Sequence, residues 1–429
     1  MPAHPGVEEM QVADRLIIVH PMDPRGVKVG GIETHVRQLL RHTPAETMPL
    51  LIGVDDRGDL PAGEVSEIEF GGRRIGFLPV AFVPAEEQAE TARSILKSNT
   101  VRFIAGFLRY LPRLRRLARR GGASVEVERY EIAWLARLLG RPMALVIHND
   151  VGDATKQDSL TKYIWRLTKA SEWLAYRLAA HVFTVTERLR ERVLAMAPAA
   201  GPRTEVLTVS IDTELFSLAP FDTGDGVLRV AYAGRLETVK DPELMFAVAA
   251  ALDRKLGGRF EFHYAGSSDP ARWPGFAAIE HCTVRHGALR AEEMAALMKR
   301  VHVGMLTSHW EGMPCFMLES LSTGRPFAGV HLPQFDKVVR DRWHGRMMDR
   351  RETVAESAEA WADEIVGLWD DVRAGRVEPA RLHEAVQPFS VRRQLGRLFQ
   401  VHAALAGGGR VAAPERPAAT LAAAGPRKG

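Results

Sequence analysis

Along the chain, short apolar runs alternate with longer stretches whose apolar residues return every three or four positions. In the first half, the short runs at 15–20, 49–54, 76–82, 124–127, 143–148 and 182–185 predict strands. The periodic stretches at 32–41, 101–119, 130–139, 160–178 and 187–196 predict helices. A second series opens with a strand at 228–233 and a helix at 242–255. It continues with strands at 260–265 and 282–285, a helix at 291–300 and a strand at 301–306. This alternation predicts βαβ units and a largely parallel sheet in each half, hence an α/β fold of two doubly wound domains. Pro, Asp, Thr and Gly collect at 210–225 and mark a linker. An amphipathic helix is expected at 391–405. Beyond it, 406–429 has no apolar period and is expected to lack structure. The predicted division is 1–212, 213–388, a last helical segment at 389–405 and a tail from 406.

Composition narrows the picture. A chain of 429 residues exceeds one ordinary core, and 46% hydrophobic with 26% charged residues is a globular balance. The net charge of +4 is too small for coating nucleic acid, and no nucleic-acid partner is expected. Cys282 and Cys315 are the only cysteines, which excludes a disulfide framework and fits a reducing compartment. Neither C-x-x-C nor H-E-x-x-H occurs, so no bound metal is expected. No apolar run approaches the roughly 20 residues of a membrane span. The first apolar run reads as a strand rather than as the core of a signal peptide, so a cytoplasmic location is expected.

Candidate chemistry lies where predicted strands end. In 309–324, Glu311 and Glu319 flank Gly312, Met313 and Pro314. A helix from about 314 to 323, with Pro314 in its first position, would turn the amides of Cys315 and Phe316 outward as a phosphate site. Acids beside such a site suit the hydroxyls of a sugar nucleotide, although two surface acids would have the same spacing. In 233–241, Arg235 offers a planar fork and Lys240 a compact charge for a diphosphate. In 20–35, Gly30 and Gly31 precede a helix and would admit a ligand close to the backbone, or simply make a turn. His148, followed by Asn149 and Asp150, could orient a sugar hydroxyl or move protons near neutral pH. Residues 102–120 form a basic amphipathic helix without acids, which suits either an anionic membrane surface or packing on a sheet with a solvated Arg face.

Taken jointly these motifs resemble the retaining glycosyltransferases of family 4, which have the GT-B fold of two facing Rossmann-like domains. The carrying pieces are Gly30-Gly31-Ile-Glu-Thr-His35, Gly234-Arg-Leu-x-x-x-Lys240, and Ser308-His-Trp-Glu-Gly-Met-Pro with Glu319. Val209-Ser-Ile-Asp-Thr-Glu-Leu-Phe216, Thr323-Gly-Arg-Pro326 and Phe389-Ser390 also match, and along the chain the pieces stand in the family's order. The resemblance implies that the first domain binds the acceptor and the second the donor, with the last helix crossing back. It implies donor contacts from Gly30, Gly31, Arg235, Lys240, Glu311, Gly312, Met313, Cys315, Phe316 and Glu319. Arg235 and Lys240 would hold the diphosphate, Glu311 the sugar and Glu319 the ribose, with His148 beside the sugar. Catalytic roles would then fall to Glu311, Arg235, Lys240 and His148. The implied reaction moves a sugar from a nucleotide-diphosphate donor to a glycan or lipid-linked acceptor, with retention and without a cofactor or an Asp-x-Asp metal. If 102–120 meets an anionic membrane, the enzyme would sit at the inner face. Val209-Ser210 and His331-Leu-Pro-Gln-Phe-Asp336 depart from the family pattern and leave the donor's identity open. Two other readings share this architecture: a nucleotide-sugar epimerase, and a non-catalytic sugar-nucleotide-binding protein.

Overall fold

The computed structural model describes residues 14–26, 31–84, 99–148, 159–409 and 411. Gly30, Asn149, Asp150 and the tail beyond residue 411 therefore lie outside the described residues. The first sheet contains β1 (Asp14–Val19), β2 (Thr47–Asp55), β3 (Ser66–Phe70), β4 (Arg73–Phe82), β5 (Gly122–Val127), β6 (Met143–Ile147), β7 (His181–Thr184) and β8 (Thr204–Val206). Its spatial order is β3-β4-β2-β1-β5-β6-β7-β8, parallel except for β3 against β4. β1 pairs on both sides, Val19 standing opposite Ile52 and Val127. Its run Leu16-Ile-Ile-Val19 is buried throughout, as a strand covered on both faces must be.

The second sheet contains β9 (Leu228–Ala233), β10 (Phe260–Ala265), β11 (Thr283–Gly287), β12 (Val303–Leu306), β13 (Phe327–Val330) and β14 (Gly345–Met348). Its order is β11-β10-β9-β12-β13-β14, all parallel. Described helices around the first sheet are α1 (Gly31–His42), α2 (Asn99–Arg119), α3 (Ala133–Arg137), α4 (Ser159–Leu178) and α5 (Glu187–Met196). Those that follow are α6 (Pro242–Leu256), α7 (Ala291–Met298), α8 (Cys315–Ser322), α9 (Val354–Arg373), α10 (Pro379–Ala385) and α11 (Val391–Ala406).

Two hydrophobic cores result. One runs from Leu16 to Leu207 and resumes at Val391 on α11, and the other runs from Ile211 to Phe389. The passages between them are paired: Ile211 N donates to Phe389 O at 2.9 Å and Val391 N donates to Ile211 O at 2.9 Å. The buried guanidinium of Arg325 pins the linker. It donates to the carbonyls of Met298, Ala219, Pro220 and Lys299 at 2.7–3.2 Å and stacks on Phe221 at 4.6 Å.

Several expectations need correction. Pro314 caps α8 rather than opening it, because its ψ of 123° is extended and the helix begins at Cys315. The helix expected at 130–139 is a 3-10 turn, Tyr130–Ile132, followed by the short α3. Cys282 belongs to a 3-10 turn before β11 rather than to the strand. β3, β8, β13, β14, α9 and α10 were not expected. Helix α2 forms despite Pro112, but Phe103, Phe107, Leu114 and Ala118 on its apolar stripe are buried in the first core. The stripe that would enter a bilayer is already spent on the sheet, and the solvent side carries the arginines. Among the described residues no helix is long and apolar enough to cross a membrane.

Candidate active site

Ligands of doubly wound sheets bind beyond the carboxyl ends of strands, where the strand order reverses. The second sheet reverses between β9 and β12, and the loops leaving those two strands carry Arg235, Lys240 and Glu311. The loops are laced together. His309 N donates to Val239 O at 2.8 Å, and Thr307 Oγ1 donates to the carbonyls of Lys240 and Asp241 at 2.8 and 3.0 Å. Asp241 adopts a left-handed φ of 49°, caps α6 through Leu244 N and pairs with Arg350. Arg350, just past β14, also donates to Thr307 O at 2.6 Å. This strained turn is over-determined by its partners, and it sets the position of Lys240.

Lys240 Nζ lies 2.5 Å from Glu311 Oε1, which also accepts from Ser308 Oγ at 2.6 Å. Glu311 is 9% exposed, and its backbone carbonyl accepts from Gln334 of the departing 331–336 segment. The carboxylate of Glu319, on the first turns of α8, makes no hydrogen bond or ion pair among the described residues, whereas its backbone carbonyl accepts from Thr323 Oγ1 at 3.1 Å. Burial pushes its carboxyl up to about 7. The Cys315 thiol is pushed up to about 12 by burial first, then by the charges of Glu319 and Glu311, with Lys240 opposing. One thiol thus registers both acids and the lysine. The Tyr232 hydroxyl registers Arg235 and Glu311 in the same way: burial and then Glu311 raise it, and Arg235 opposes.

Arg235 itself is two-thirds exposed and pairs with Glu237 at 3.1 Å. The amides of Cys315 and Phe316 have no acceptor among the described residues, whereas Met317 N already turns back to Pro314 O. Met313 and Phe316 are buried side chains of the second core, so they can offer a ligand their backbones but little side chain. A Cβ added to Gly31 or to Gly312 would meet nothing within 4 Å.

The first sheet reverses between β1 and β5. Beyond β1, β5 and β6 stand His20, Glu128 and His148, with His35 pointing inward from α1. His148 Nε2 contacts Glu128 Oε2 at 2.5 Å, its ring meets His35 edge to face at 5.3 Å, and its Nδ1 makes no hydrogen bond among the described residues. Burial, opposed by Glu128, holds the His35 imidazole down to about 4, so it is neutral. Deeper on β5, burial and then Glu128 raise the Glu126 carboxyl well above the usual range, and burial drops His402 of α11 to about 3. Sequence reasoning placed His148 but missed Glu128, His35, Ser308, Tyr232 and Arg350. Glu128 could have been found, since it immediately follows the expected strand at 124–127.

The architecture is the GT-B fold, and solved structures share it over nearly the whole chain. Sucrose-phosphate synthase from Thermosynechococcus elongatus aligns with a TM-score of 0.64 at 17% identity, covering 90% of this chain and 98% of that one. Anabaena HepE, solved with UDP-glucose, aligns at 0.62 and 12%, with 90% and 98% covered. The pneumococcal O-GlcNAc transferase GtfA, solved with UDP and GlcNAc, aligns at 0.60 and 11%, with 92% and 99% covered. No curated protein matches the chain in sequence. Residues 228–371, the span holding both β9 and β12 loops, match the family model described as glycosyl transferases group 1. Fold and family match together support a glycosyltransferase.

Proposed function

We propose that the chain is a retaining glycosyltransferase of the family 4 kind, taking a sugar from a nucleoside-diphosphate donor to a glycan or lipid-linked acceptor. The observation that carries this reading is the cluster at the second switch point. Lys240 and Glu311 touch, Glu319 stands unpaired, and two free amides of α8 sit beside them. Such a set offers cationic and dipolar groups to a diphosphate and two acids to sugar and ribose hydroxyls. Lys240, Arg235 and the α8 amides would stabilise the departing diphosphate, a single such donor being worth about 3 kcal/mol. The acceptor oxygen bonds to the anomeric carbon as the bond to the phosphate oxygen breaks on the same face, and that phosphate oxygen takes the acceptor's proton. Charge on the diphosphate is met by side chains and amides, so the transfer needs no metal at that point. His148, through Nδ1, would meet the sugar from the first domain, with Gly31 leaving space for it.

The test is a thermal-shift panel of nucleoside-diphosphate sugars followed by transfer assays, with the product's anomeric configuration read by NMR. Lys240→Ala and Glu311→Gln are expected to lose roughly 100-fold or more in transfer while remaining folded. Gly31→Ala is expected to fold normally and to lose donor affinity, since its methyl enters only open space. Unchanged transfer in the two charge variants, an inverted product, or donor consumed without acceptor would each refute the proposal.

A further inference from the structure

The ends of β5 and β6 and the inner face of α1 gather three ligand-type side chains. Glu128 Oε1 lies 3.6 Å from His35 Nε2, and Glu128 Oε2 lies 2.5 Å from His148 Nε2. One ligand atom from each of the three falls within 4.8 Å of the other two. Glu128 and His35 are only 2% and 6% exposed, yet Glu128 Oε1 and His35 Nε2 have no hydrogen-bond partner. Two sealed polar atoms that face each other without a partner are costly. Their separation is too long for a hydrogen bond. It does suit two ligands of one ion, because atoms each about 2.1 Å from a tetrahedral centre stand roughly 3.4 Å apart.

We propose that His35, Glu128 and His148 form a site for one transition-metal dication of the zinc class, with its fourth position open. Two imidazoles and a carboxylate suit zinc, cobalt or nickel, whereas magnesium and calcium ask for oxygen ligands. The His148–Glu128 contact opens by about 1 Å to admit the ion. Binding changes what the second ring nitrogen of His148 offers a ligand. With Nε2 on the metal, the ring carries its proton on Nδ1 and offers a donor outward. With Nε2–H donating to Glu128, the outward Nδ1 is an acceptor. The ion thus sets the hydrogen-bonding polarity of His148 Nδ1. Ion binding shares His148 with the glycosyl-transfer reading but uses none of the residues that would hold the diphosphate, so metal retention is read independently of transfer.

The experiment starts from metal-free full-length protein, equilibrated with Zn²⁺, Co²⁺ or Mg²⁺ and freed of excess. Bound metal is counted by mass spectrometry, and the Co²⁺ form is read by its visible absorption. One equivalent of zinc or cobalt per chain is expected, with the strong bands of a four-coordinate Co²⁺ site, a raised melting temperature and no retained magnesium. His148→Ala and Glu128→Gln should both lose the ion, and either variant that retains the native circular dichroism decides the question. Cys282→Ser should keep it, although Asp253, His281 and Cys282 form another group with ligand spacing. No retained ion, retention in a folded His148→Ala or Glu128→Gln variant, or loss in Cys282→Ser overturns the proposal.

Discussion

Glu319 keeps its proton in the fold up to about pH 7, where an ordinary glutamate releases it near 4.5. Between those two values the native state binds the extra proton. The contribution of Glu319 to stability therefore falls as pH rises through that window and levels off above it. Glu319→Gln keeps the shape without the ionisation, so the difference in melting temperature, variant minus wild type, should grow across the window and leave the variant the more stable at about pH 8. The same variant should bind donor less tightly, whereas wild-type affinity should rise between about pH 6 and pH 8 as the carboxylate forms to accept hydroxyls. Calorimetric titration over that range checks both halves of the expectation. The acid itself was legible in the sequence, because its distance from Glu311 and the proline between them announce a loop entering a helix. Its missing partner was not legible. Which acid finds a donor depends on what other segments place around it, as Ser308 and Lys240 do for Glu311.

Among elements, those with a strong period and a clear strand end were found nearly to the residue, as β9, β10 and α5 were. The β3–β4 hairpin was missed although its signal is present: Glu-Ile-Glu-Phe alternates, and Gly71-Gly72 turns with φ of 58° and 79°. Helix α2 shows the opposite difficulty. A basic amphipathic pattern is the same whether its stripe meets a sheet or a bilayer, and only the fold decides between them. The Thr323–Pro326 motif was read as a family marker, and its arginine proves to be a clamp on the linker. Arg325→Lys should cost about 2–4 kcal/mol, because a single ammonium cannot reach four carbonyls and leaves buried acceptors unpaired. A lowered denaturant midpoint with unchanged donor affinity in the folded fraction is the expected result.

At the scale of the molecule, the joint is a pair of short segments bridged at Ile211. Val391 opens α11, a position where proline suits a helix, yet its N–H is the donor to Ile211 O. Val391→Pro should therefore spare the helix and remove the bridge, costing about 1–2 kcal/mol. Scanning calorimetry should show melting transitions more widely separated than those of the wild type as the halves uncouple. The helical pattern of α11 was visible in the sequence, but its attachment to strands hundreds of residues earlier rests on contacts such as His402 with Ser124, which no local pattern records. That attachment orders events during synthesis. The earlier core is left with a missing wall while the later one is made and can close by itself. A ribosome that stops short of residue 391 releases a chain whose second half can fold and whose first half still exposes a greasy slot the width of one helix. Such truncated products are natural clients for chaperones.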